Sequence, residues 1–194
     1  MLISIFCSLC LRRHSKQEKL ISAVCDVSIL LFTHYSNSNR ETDGRFLGLN
    51  AFYIKDAKEY FYGGLGNYQN DVPKSSIISY DRNSINGGWG REWKRGISTL
   101  ASVGYGIKKY GDPADAYPAG SGAWKGYYNA VGGEPGSRRK DKTTSLGLQV
   151  WKRDFTVLGL TPRLVFDYET TSSNFAYYDD RDEKSATVLL TKTF

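Results

Sequence analysis

The chain has 194 residues, of which 40% are hydrophobic and 20 are glycine, and a formal charge of +6. That length suits one domain, and no uninterrupted apolar run approaches the roughly 20 residues that a membrane-crossing helix needs. Apart from Arg138-Arg139-Lys140, the bases are interleaved with acids, which argues against a nucleic-acid-binding face and suits a charged lumen or rim.

Residues 1–26 read as an atypical amino-terminal segment. Met1–Cys10 is apolar, but no basic residue precedes it and Arg12-Arg13 follow, the reverse of the charge order in a secretory signal. Cys7 and Cys10 have a metal or redox spacing. With Cys25 as the only other cysteine they lack a second pair and a βαβ setting, so neither a metal nor a cofactor is expected.

From residue 27 onward the sequence predicts eight strands, near 27–36, 45–55, 59–69, 77–91, 97–109, 143–153, 161–171 and 184–194. Several alternate with the period of two expected when one face meets an apolar medium. Leu47, Leu49, Ala51 and Tyr53 alternate with Gly48 and Asn50. Ala101, Val103, Tyr105 and Ile107 alternate with Ser102, Gly104, Gly106 and Lys108. Leu146, Leu148 and Val150 alternate with Ser145, Gly147 and Gln149, and Leu164, Phe166 and Tyr168 with Arg163, Asp167 and Glu169. Charges on the second face would be costly in a dry core and are ordinary in a hydrated lumen. The strand 27–36 is almost continuously apolar, and 77–91 alternates poorly.

The connections between these runs alternate in length. The outer set is Asn37–Gly44, Asn70–Ser76, Tyr110–Lys142 and Ser172–Glu183, and each member exceeds the inner turns beside it, at Asp56–Lys58, Glu92–Gly96 and Asp154–Leu160. Short turns on one side and long loops on the other are the habit of outer-membrane barrels. The expected fold is therefore all-β, an antiparallel up-and-down transmembrane β-barrel portion.

Gly63-Gly64-Leu65-Gly66 and Gly87-Gly88-Trp89-Gly90 fall inside strands with no following helix, so they read as relief of crowding and not as phosphate loops. His14 and His34 are the two histidines, too few and too misplaced for a rim hydrolase, so no catalytic residue is assigned. The acidic run around Asp179–Glu183 reads as a solvated loop, because it lacks the turn and spacing of a calcium loop. Tyr53, Tyr60, Phe61, Tyr62, Trp89, Trp93, Trp151 and Tyr168 lie near strand ends and suggest interfacial aromatic girdles. The chain closes on a strand whose apolar face holds Ala186, Val188, Leu190 and Phe194.

Several segments together resemble the carboxy-terminal barrel of the surface lipoprotein assembly modifiers. They are Gly88-Trp89-Gly90-Arg91-Glu92-Trp93 with Lys94–Ser98, Leu148–Lys152, Gly159-Leu160-Thr161-Pro162-Arg163-Leu164, and Thr191–Phe194. The resemblance covers roughly residues 30–194. It implies an outer-membrane protein of a Gram-negative bacterium, in contact with outer-membrane lipids and helping a partner lipoprotein reach the cell surface. It also implies a periplasmic helical-repeat domain ahead of a barrel of about fourteen strands. The eight strands expected here suit the last part of such a barrel, so a truncated product is expected. Val188, Leu190 and Phe194 resemble the signal read by the barrel-assembly machinery, from which Lys192 departs. The other reading is a complete eight-stranded barrel, an adhesin or structural protein, closed by pairing 27–36 with 184–194.

Overall fold

The computed structural model describes residues 4–12, 22–35, 42–72, 76–178 and 181–191, with side chains placed in 44–72, 77–178 and 181–191. Nine strands form one sheet: β1 Ser4–Arg12, β2 Ser22–Tyr35, β3 Thr42–Asp56, β4 Glu59–Asp71, β5 Tyr80–Glu92, β6 Ile97–Tyr110, β7 Lys140–Lys152, β8 Thr161–Ser173 and β9 Arg181–Thr191. Each pairs antiparallel with its sequence neighbour, and the spatial order is the chain order. Among the described residues one α-helix, α1 Gly122–Val131, lies between β6 and β7.

The up-and-down all-β expectation holds, with corrections. The strand count is nine because β1 lies inside the amino-terminal segment, and β2 reaches back through Ala23-Val24-Cys25 to pair with it. With β1 on one side and β3 on the other, β2 is saturated, so it does not close a cylinder with β9. The eight-stranded closed barrel is therefore not what forms. The last strand begins earlier than expected, which puts Arg181, Asp182 and Glu183 in β9 and not in a loop. Longer β8 and β9 shorten the connection between them to 174–180, so it no longer exceeds the 153–160 turn. Phe194 lies outside the described residues.

Period-two alternation divides the sheet into two faces, and register carries each face across the strands. One row runs Tyr53, Phe61, Trp89, Ala101, Leu148, Phe166, Ala186. A row of the opposite face runs Asn50, Gly64, Asn86, Gly104, Ser145, Glu169, Glu183. The apolar face is uncovered: Leu65 is 55% exposed, Ile85 54%, Val103 53% and Leu146 50%. Among the described residues no core lies beneath it, and the buried apolar cluster of Tyr128, Val131 and Phe175 belongs to the connections and not to the sheet.

On the polar face, glycine makes room for aromatic rings. A Cβ at Gly88 would fall inside the ring of Tyr62, and one at Gly90 inside that of Tyr60. The glycine runs are thus packing devices, as their position in strands implies. The same alternation sends Tyr60, Tyr62 and Trp151 to the polar face, so of the aromatics read as a girdle, Tyr53, Phe61, Trp89, Trp93 and Tyr168 share the apolar side.

Candidate functional site

Those of the described residues that carry the family resemblance collect at the short-turn end of the sheet, but on two faces. On the apolar face, Glu59 is buried to 8% exposure under three donors. Lys55 Nζ lies 2.7 Å from its Oε2, Trp89 Nε1 donates to its Oε1 at 3.0 Å, and Arg91 Nη1 stands 3.9 Å away. Trp93 packs edge-on against Trp89, with the Arg91 guanidinium 4.5 Å from its ring centre, and its Nε1 donates to Thr99 Oγ1 at 2.9 Å. An aromatic pair braced by two cations and an anchored carboxylate is a construction suited to a boundary between apolar and aqueous surroundings.

On the polar face, one row holds Glu92, Ser98, Trp151, Arg163 and Leu189. Arg163 stacks 4.2 Å over Trp151 and its Nη1 donates to Gln149 Oε1 at 3.2 Å. Glu92 pairs with Arg153 at 3.2 Å, and Arg153 N donates to the Gly96 carbonyl at 2.8 Å, which ties the β5–β6 turn to the β7–β8 turn. Thr161 is buried, and its carbonyl accepts from Thr191 Oγ1 at 3.2 Å; Pro162 stands opposite Leu190. Trp89, Arg91 and Trp93 therefore form one cluster with Glu59, while Glu92 and Arg163 join a different one. Gly90 serves as the floor for Tyr60. Val188 and Leu190 lie on the apolar side of β9, 59% and 56% exposed.

The long-connection end carries features that the sequence reading missed. Helix α1 is capped by Ser121, whose Oγ accepts from Trp124 N at 3.1 Å, and ends at Gly132 in a left-handed conformation. Its Tyr128 packs against Phe175, with ring centres 5.9 Å apart, and donates through its hydroxyl to the Ser137 carbonyl at 2.8 Å. Burial pushes the Tyr128 pKa up. A second cap forms at Asp112, which accepts from Ala114 N at 2.9 Å and pairs with Arg138 at 3.1 Å. The backbone donor, against some burial and with help from Arg138, holds the Asp112 pKa below its ordinary value. Ser121 and Gly132-Gly133 were the available signals for this helix.

Below this cap, the polar face forms a cleft of about 470 Å³. Arg82, Lys108, Arg139 and Arg181 line it, with Asp141 and Glu169 among them. Arg139 is held between the rings of Tyr110 and Tyr178, 4.2 and 3.5 Å from their centres, and donates through Nε to Asp141 Oδ1 at 2.9 Å. Burial is the largest influence and weighs against its charge, but the bond to Asp141 and the charge interactions with Tyr110, Asp141 and Tyr178 together outweigh it, and the pKa rises. Lys108 Nζ sits 4.0 Å from the centre of the Tyr80 ring. Such a cleft can hold anions by charge and by the planar forks of arginine. Register parity could have placed Arg82 beside Lys108, which pair directly across β5 and β6.

Sheet order, face chemistry and open edges define a portion of an antiparallel up-and-down β-barrel. Residues 31–194 match the family model described as surface lipoprotein assembly modifier, and the chain belongs to that family. It is 29% identical over 142 residues to surface lipoprotein assembly modifier 1 of Haemophilus influenzae (73% of this chain, 25% of that protein). It is 29% identical over 143 residues to surface lipoprotein assembly modifier 1 of Neisseria meningitidis serogroup B (73% and 26%), and 27% identical over 148 residues to a surface lipoprotein assembly modifier of Moraxella catarrhalis (76% and 26%). The matched region spans about a quarter of the length of these curated relatives. No solved structure matches the chain.

Proposed function

We propose that these strands are the carboxy-terminal part of an outer-membrane β-barrel that helps deliver lipoproteins to the surface of a Gram-negative bacterium. The observation that carries this reading is the uncovered apolar face, on which large hydrophobic side chains about half exposed recur from strand to strand, as suits lipid. Strands of 13 residues, such as β4, β5, β7 and β8, are far longer than the ordinary globular strand. At about 3.3 Å per residue and a tilt near 45°, such a strand rises about 30 Å, the thickness of a bilayer core. The polar face then lines a hydrated lumen, and further strands pair with the edges at β1 and β9 to complete the wall. Tyr53, Phe61, Trp89 and Trp93, with Lys55 and Arg91, would sit at the membrane boundary on the short-turn side. The barrel-assembly machinery would read Val188, Leu190 and Phe194. The partner is a surface lipoprotein, and the family description names an assembly role and no reaction.

A paired substitution tests the lipid-facing assignment in a barrel completed by the upstream portion of a relative. Phe166→Arg places a cation on the apolar face and should cost about 2–4 kcal/mol near the bilayer midplane. Asp167→Arg, one residue along on the polar face, should leave insertion near wild type. Equal losses from both variants would remove the basis for assigning the faces.

A further inference from the structure

We infer that the cleft at the long-connection end binds an acidic peptide segment, which deepens the delivery reading by giving the lumen a place to hold a polypeptide. The cleft is built and not merely charged. Arg82, Lys108 and Asp141 stand side by side on β5, β6 and β7, and Thr143 and Thr171 face each other in the next row. The Arg82 guanidinium lies across Gly106, where a Cβ would come 3.4 Å from Nε. Arg139 is fixed by two rings and a carboxylate, and the Tyr178 ring that covers it packs in turn against the buried Tyr128–Phe175 cluster. The cap therefore holds one wall of the cleft in place.

Charge decides what fits. Asp141 is already paired with Arg139, which leaves Arg82, Lys108 and Arg181 facing Glu169 among the described residues. The surplus is cationic, and arginine forks suit carboxylates and phosphates alike. Glu169 distinguishes the two, because its carboxylate accepts and does not donate, whereas the threonine hydroxyls can do both. It offers acceptors for N–H donors, which a peptide backbone supplies and a phosphate group lacks. The cleft also lies on the polar face, away from the surface assigned to lipid. An extended peptide carrying Asp or Glu side chains satisfies both sets of groups.

The test uses the 194-residue chain refolded in nonionic detergent micelles, with sheet content confirmed by circular dichroism. Fluorescein-labelled hexaglutamate is the probe, hexaglutamine the neutral control, and micelles doped with phosphatidylglycerol the lipid-phosphate arm. Hexaglutamate should bind saturably and weaken with added salt, and hexaglutamine should not bind. Arg82→Gln and Lys108→Gln should each weaken binding roughly tenfold, as loss of one charge-assisted contact does. Lys94→Gln, in the turn at the other end, should change nothing. If either cleft variant loses its sheet signal, Arg181→Gln on the edge strand takes its place. Binding that is indifferent to the cleft variants overturns the proposal. So does phosphatidylglycerol binding that depends on those residues while the peptide fails to bind. Loss of peptide binding in a completed barrel that still displays lipoprotein would overturn only this assignment. Intact peptide binding without display would instead overturn the delivery reading.

Discussion

Removing the Phe175 ring should release the cap over the sheet while leaving the sheet itself intact. Phe175 is fully buried, with the rings of Tyr128 and Tyr127 centred 5.9 and 6.3 Å away and Val131 in the same cluster. Phe→Ala at such a site costs about 3–5 kcal/mol, made up of lost transfer energy and the cavity left behind. Helix α1 has 10 residues, too few to persist without docking. At about 1.4 kcal/mol per decade, the substitution should raise the opening equilibrium of the cap by roughly a hundredfold to a few thousandfold. Hydrogen exchange of the detergent-refolded chain reads this directly. Amides of 124–133 should lose protection in Phe175→Ala, whereas those of β6 and β7, held by ladders on both sides, should keep theirs. Unchanged exchange over 124–133 would refute the claim that this cluster holds the cap, and equal loosening of β6 and β7 would refute its independence from the sheet.

The cap should also loosen in acid. Because the folded pKa of Asp112 lies below the ordinary 3.8, its contribution is complete above that value and is lost as pH falls through the lower folded one. Near-ultraviolet circular dichroism of the aromatic cap should therefore decline in that window, and Asp112→Asn should flatten this component; an identical acid profile in the variant would remove Asp112 as the cause. In a barrel completed by a relative's upstream portion, Phe194→Ala should reduce outer-membrane insertion severalfold, measured by heat-modifiable migration of membrane fractions. Unchanged insertion would count against a signal role for the terminal aromatic.

Much of the sheet was legible because β-strand side chains repeat every two residues, and the alternation of Leu146, Leu148 and Val150 with Ser145, Gly147 and Gln149 is a local property. The strand pairing followed from the same runs taken in order. What was not legible depends on contacts distant in sequence. Helix α1 is short, and its burial rests on Phe175, far along the chain, so no local apolar run announces it. The cleft draws on all five strands from β5 to β9, and each of its cations looks like an ordinary solvated base until register sets them side by side. β1 was missed because its apolar run was read only against the pattern of an export signal. Spacing by two already puts Trp89, Arg91 and Trp93 on one face and Glu92 on the other, but the sequence did not show that Arg163 shares a row with Glu92. Parity within each strand was visible; the partner across the sheet was not.

The central claim is that these strands form the wall of a barrel that helps expose lipoproteins. The most direct measurement replaces the corresponding carboxy-terminal portion of a relative with residues 31–194 and expresses the chimera with that relative's lipoprotein. Protease shaving of whole Gram-negative cells lacking their own assembly modifier then scores surface exposure. The account predicts that the lipoprotein becomes protease-sensitive with the chimera and stays protected in cells carrying no assembly modifier. A chimera that inserts normally in the outer membrane yet leaves the lipoprotein protected would contradict it.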